Sequence, residues 1–206
     1  HEEELLKNNT KFNIVFTLDG DNEVFNQDSI YGGEMDESDE EEYLEKIQEY
    51  EEERGKKIKK LCKKYSVKFL INDDVYLAKK LDADGCHLGQ KDMNVLKARK
   101  IIGNKIIGVT CHNSIKLAKD ALRNKVDYLA FGSFYYSKTK KTTYKAKIKI
   151  LKNIKKITNI PIVAIGGINS DNYKKLLLNN ANFLAISGYI WNNKKLKPVE
   201  AIKKLK

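Results

Sequence analysis

Cysteine is scarce in this sequence, with three residues in 206, at positions 62, 86 and 111. An odd number, widely spaced within helix-like and strand-like runs, excludes a disulfide framework and predicts reduced thiols. The dipeptides Cys86-His87 and Cys111-His112 lack a second ligand at the two-to-four-residue spacing of zinc sites. Proline occurs only twice against 41% hydrophobic residues, which fits a folded chain rather than a disordered one. No apolar run approaches the ~18 residues of a membrane span, and no signal-peptide pattern precedes the fold. The expectation is a soluble cytoplasmic protein with no membrane partner.

Charge of one sign is scarce in each part of the chain in turn. Residues 1–55 hold 19 of the 28 acidic residues but only four of the 39 basic ones, so the net charge of +11 belongs to the remainder. A basic body can attract nucleic acid through its phosphates. Here, however, most lysines punctuate amphipathic stretches such as KKIKKLCKKY (56–65) and LKNIKKIT (151–158), where they form solvated outer faces. Nucleic acid is therefore not the expected partner. The acidic run at 34–42 reads as a solvated surface, with Asp36 or Ser38 capping a helix that continues through Tyr43, Leu44, Ile47 and Tyr50. Subunit number leaves no signal in the sequence.

From Lys56 a rhythm takes over. Apolar, β-branched runs begin near Val67, Asp84, Lys105, Asp127, Pro161 and Asn182, each separated by a segment of helical periodicity. Near-continuous apolar strands alternating with amphipathic helices predict a parallel sheet covered by helices. A strand at 12–18 and a short one at 29–31 bring the total to eight. That number favours a closed (β/α)8 TIM barrel over residues 1–206, with 1–55 as an atypical acidic N-terminal part. One interval, from 127 to 161, exceeds the rest and contains the long loop GSFYYSKTKKTTYKAK (132–147). A loop of that length at the C-terminal face suits a lid or a ligand contact.

Several clusters fall at predicted C-terminal strand ends, where such folds keep their chemistry. Asn72-Asp73-Asp74 and Gln90-Lys91-Asp92 lie one repeat apart. The carboxylates of Asp73 and Asp92, with the Asn72 amide beside them, suit a magnesium ion completed by water and substrate phosphate oxygens. They equally suit helix capping, and at least one of Asp73 and Asp74 is expected to cap. Gly166-Gly167 and Ser187-Gly188 end two successive strands and allow a phosphate close to the backbone. Ser137, Lys138, Thr139 and Lys140, followed by Lys141, could close over a pyrophosphate or form a solvated lysine cluster. Thr110 and His112 add a hydroxyl and an imidazole to the same face.

These stretches resemble the thiamine phosphate synthase family. The segments that carry the resemblance are LINDD (70–74), DGCHLGQKDM (84–93), IIGVTCHN (106–113), DYLAFGSFYYSKTKK (127–141), IPIVAIGGI (160–168) and ANFLAISGYI (181–190), in matching order and spacing. The resemblance implies a (β/α)8 barrel, a transferase that joins a hydroxymethylpyrimidine pyrophosphate to a thiazole phosphate, and a requirement for Mg2+. It implies Asp73 and Asp92 as magnesium ligands, and Asn72, Thr110 and Lys140 as contacts to the pyrimidine pyrophosphate. It also implies Lys140 and Thr110 as catalytic groups, with Thr110 standing where the family usually has serine. Ser137, Lys138, Thr139, Gly167, Ser187 and Gly188 would meet the thiazole phosphate. The implied chemistry is dissociative, needing position and charge stabilisation more than a general base.

Before Lys56 the resemblance stops. The family's Gln-Leu-Arg-Glu-Lys segment on the second strand has only Ile30 to Asp36 in a comparable place, putting Tyr31, Gly33 and Met35 where Gln, Arg and Lys should stand. Two other readings stay open beside the synthase. One is a thiazole tautomerase-like relative using His112 as acid and base. The other is a non-catalytic phosphate-ligand-binding barrel that has lost the second-strand segment. The paired aspartates and the Ser-Lys-Thr-Lys loop favour the synthase.

Overall fold

The computed structural model describes residues 37–137 and 143–205, with side chains from 45 onward. The strands expected at 12–18 and 29–31, the residues Tyr31, Gly33, Met35 and Asp36, and Lys138, Thr139, Lys140 and Lys141 of the long loop lie outside them.

The first described element is a 28-residue helix, α1 (Glu37–Lys64). Its acidic first half and its lysine-rich end, with Lys63 and Lys64 in the last turn, complement the helix dipole. Pairs one turn apart, Glu52–Lys56 at 2.7 Å and Glu53–Lys57 at 2.8 Å, carry it across the change of charge sign. The compositional boundary at 55 therefore falls inside one continuous helix. Ser38 lies within it, not at its cap.

Six strands follow: β1 (Leu70–Asn72), β2 (Gly85–Leu88), β3 (Ile106–Thr110), β4 (Tyr128–Phe131), β5 (Ile162–Ile165) and β6 (Phe183–Ala185). All pair in parallel and in sequential order, forming a curled arc of a barrel. Between them run α2 (Val75–Lys80), α3 (Val95–Ile102), α4 (Ile115–Arg123), α5 (Lys149–Lys155) and α6 (Tyr173–Leu177); α7 (Gly188–Trp191) and α8 (Pro198–Lys203) close the described chain. Phe69, just ahead of β1, and strand residues such as Ile71, Ile107, Leu129 and Phe131 are fully buried. Small helix residues, Ala78, Ala98 and Ala118, let the helices lie close on the sheet.

Five of the six strands begin one residue after the expected start, and in three of them the reason is a repeated latch. Asp84 donates its N–H to Phe69 O (2.8 Å) and accepts from Phe69 N through its carboxylate (2.9 Å). Asp127 does the same to Ile107, at 2.8 Å in both directions. Asn182 does so to Ile162, at 2.8 and 3.0 Å. A polar residue in front of each of these strands thus ties it to the preceding strand. The first strand starts three residues later than Val67, because the Val67 N–H bonds back to Cys62 O and Ser66 takes φ 55°, ending α1 in a tight turn.

The Asp127 latch also holds the Arg99 guanidinium at 2.8 Å. Asp127→Ala should cost about 1–3 kcal/mol, because the buried Ile107 N–H loses its side-chain acceptor. Asp120→Ala, which loses only an exposed pair to Arg123 on the same helix, should cost less than about 0.5 kcal/mol. Urea midpoints at unchanged slope measure both.

Candidate active site

Register sets the loops that carry the paired aspartates next to each other. Asn72 is opposite His87 across β1 and β2, and the Asp73 N–H continues the ladder by donating to His87 O at 2.8 Å. The two polar clusters therefore leave the sheet side by side. Asp74 is the residue that caps α2, its carboxylate accepting from Leu77 N at 2.8 Å. Asp73, at φ 65°, is turned away from that role, and the Asn72 amide donates to its carboxylate at 2.7 Å. Asp92 folds its loop back by accepting from Gly89 N. Burial first, and then the negative charges of Asp73, Asp74 and Asp92, raise the Cys86 thiol to about 12, so all three carboxylates act on one residue of β2. Among the described residues Asp92 has no cationic side chain bonded to it.

One layer deeper, a row runs across three strands. His87 is opposite Gly108, and Gly108 is opposite Tyr128. A Cβ at Gly108 would fall inside the Tyr128 ring, so the glycine is what lets tyrosine lie across β3. The Tyr128 hydroxyl thereby reaches His87 Nδ1 at 2.8 Å, and His87 Nε2 reaches Thr110 Oγ1, also at 2.8 Å. The Gln90 amide donates to Thr110 O from above. Burial pushes the His87 imidazole down to about 4, partly offset by Asp92, and raises the Tyr128 phenol. Both groups are neutral at physiological pH.

His112, at φ 52°, stacks on Tyr144 with ring centroids 3.7 Å apart and 14° between planes. Burial lowers its pKa as well. Around this stack the two ends of the long loop are fastened: Ser133 N donates to Tyr144 O (3.2 Å), Ala146 N to Ser133 O (2.8 Å), and Lys147 N to the Asn113 side chain (3.0 Å). Further along, Phe134 N bonds Ile165 O and Tyr135 N bonds Gly166 O, at 3.1 and 3.0 Å. The loop thus runs over the glycine turn. Gly167 has φ 63°, and a Cβ there would meet the backbone of Tyr135 and Tyr136. Ile165 pairs with Ala185, so Gly167 and the Ser187-Gly188 pair leave neighbouring strands at one level.

Residues 44–190 match the family model described as thiamine monophosphate synthase. The chain belongs to that family. The match begins within α1, earlier than Lys56, and ends at 190. A thiamine-phosphate synthase from Pelagibacter ubique is 74% identical over 152 residues, covering 74% of this chain and 73% of the relative. One from Nitrosomonas eutropha is 47% identical over 128 residues, covering 62% of this chain and 60% of that relative. The solved thiamine phosphate pyrophosphorylase from Pyrococcus furiosus superposes with a TM-score of 0.68 at 31% identity, covering 75% of this chain and 73% of that one.

The fold therefore gathers Asn72, Asp73, Asp92, Thr110, Gly167, Ser187 and Gly188 at the C-terminal ends of five of the six strands, with Ser137 on the loop above β4. Sequence reasoning passed over His87 and Tyr128. The one signal for them was Gly108, a glycine inside a β-branched strand, which marks a close approach.

A histidine depressed in the fold holds fewer protons than in the unfolded chain. His87 titrates near 4 folded, against an ordinary 6.5, so its contribution to stability is complete above pH 6.5 and declines as pH falls toward 4. His87→Gln should flatten the loss of melting temperature between pH 6.5 and 5, as read in a pH series of thermal melts.

Proposed function

We propose that this chain is a thiamine phosphate synthase: it joins a hydroxymethylpyrimidine pyrophosphate to a thiazole phosphate and releases pyrophosphate. The observation that carries the reading is the division of labour among three aspartates. Asp74 caps α2, which leaves Asp73 and Asp92 on neighbouring loops as an anionic pair beside the Asn72 amide. Among the described residues no three His, Cys, Asp or Glu side chains converge as a metal cage. Two carboxylates completed by water and phosphate oxygens are the pattern of magnesium rather than zinc. Asp73 and Asp92 would hold Mg2+, whose chemistry is to offset the charge of the pyrophosphate.

In this reading residues 1–206 form one closed (β/α)8 barrel, with two further strands supplied by the divergent acidic part, 1–55. Asn72 and Thr110 orient the pyrimidine pyrophosphate. The methylene C–O bond breaks with its electron pair leaving on pyrophosphate, Lys140 stabilises that charge, and the thiazole nitrogen lone pair forms the new C–N bond. Ser137, Lys138, Thr139, Gly167 and the Ser187-Gly188 pair hold the thiazole phosphate. With Tyr31, Gly33 and Met35 in place of the family's Gln, Arg and Lys, the chain forgoes two charge-assisted bonds of about 1.5–3 kcal/mol each. The pyrophosphate is then held mainly through the aspartate pair and the lysine loop. His112, stacked face to face on Tyr144 at the root of that loop, serves there as a support rather than as an acid or base. No described helix is long and apolar enough to cross a membrane, and small phosphorylated substrates in the cytoplasm complete the proposal.

Thiamine phosphate formation from the two precursors, titrated with magnesium, tests the assignment. Asp92→Asn should lower turnover on the order of 100-fold and shift the magnesium requirement upward. Asp74→Asn, which keeps a capping side chain, should stay within about twofold of the parent. Equal losses in the two variants would remove the metal site from Asp92.

A further inference from the structure

The row His87, Gly108, Tyr128 has a direction, and the direction fixes what Thr110 can do. A neutral imidazole has one N–H and one bare nitrogen, so of its two 2.8 Å contacts one is donated and one accepted. Resting on the reading that Thr110 meets the pyrimidine pyrophosphate, the substrate offers only acceptor oxygens there. The Thr110 hydroxyl must donate outward, and its own oxygen must accept from His87 Nε2–H. Nδ1 is then bare and accepts the Tyr128 O–H.

We propose that Tyr128 and His87 are positioning residues: a donor relay, Tyr128 O–H to His87 Nδ1 and His87 Nε2–H to Thr110 Oγ1, that holds the Thr110 hydroxyl as a donor to the substrate's pyrophosphate. The geometry supports the relay at each link. Gly108 opens the lane that the tyrosine ring occupies. The His87 and Tyr128 rings lie 5.6 Å apart and 18° from parallel, which restricts the imidazole to the plane that serves both contacts. The Gln90 amide fastens the Thr110 carbonyl, so the threonine backbone is fixed independently of its hydroxyl. Donors linked in series polarise one another, which strengthens the last bond as charge gathers on the leaving group.

The test combines spectroscopy with kinetics on the full chain. Nitrogen-15 NMR of the histidines, with the His87 signals assigned by their loss in His87→Gln, should show the Nε2–H tautomer in the parent. Tyr128→Phe removes the donor to Nδ1 and should shift the signal toward Nδ1–H. It should also lower kcat roughly five- to tenfold while KM moves less than about twofold. His87→Gln, whose amide can donate from the Nε2 position, should retain more activity than His87→Asn, which cannot reach Thr110. In Thr110→Val, adding Tyr128→Phe should cost nothing further. An Nδ1–H tautomer in the parent, or losses that multiply in the double variant, would overturn the relay. Full turnover in Thr110→Val would instead count against the substrate contact of Thr110, while the tautomer reports on the relay directly. Thermal melts of each variant separate these effects from a loss of folded protein.

Discussion

The register of β1 against β2 is the constraint on which the rest of the site depends. Pairing Asn72 with His87 sets Asp73 and the Gly89–Asp92 turn on the same end of the sheet. A slip of one residue between β1 and β2 would separate the two carboxylate loops, and because side chains alternate along a strand, the same slip between β2 and β3 would turn His87 away from Tyr128 and Thr110. The latches made by Asp84, Asp127 and Asn182 hold strand pairs at their opposite end. Polar residues at the bottom of the sheet thereby secure the geometry of polar residues at the top.

That arrangement also explains how so many acidic groups can share one face of a basic protein. Asp74 is engaged by a helix, Asp73 by an amide and by its own backbone turn, and Asp92 by the Gly89 N–H. The neutral His87 and Tyr128 beneath add no competing charge. The field above the sheet is thus shaped by backbone conformation as much as by residue type.

Much of this was legible in the chain itself. The six β-branched runs fix the strands to within a residue in five cases, and in three of these the offset has one cause: Asp84, Asp127 and Asn182 look like strand starts but act as latches. The aspartates were visible, whereas the choice of Asp74 as the cap rests on the φ of Asp73, which adjacency does not reveal. α1 was harder to read because its charge changes sign midway, and only the one-turn pairs show that the helix continues. His87 and Tyr128 were out of reach for a different reason. Their partnership exists only across three strands in a particular register, and no local pattern encodes it.

The strand-end cluster is proposed to perform a two-substrate condensation. Its most direct measurement is the yield of pyrophosphate and thiamine phosphate when the pyrimidine pyrophosphate and the thiazole phosphate are supplied together or singly with magnesium. Equal amounts of both products, formed only when both precursors are present, are predicted. Saturable binding of thiamine phosphate with no product from the two precursors would contradict the account and leave a phosphate-ligand-binding barrel in its place.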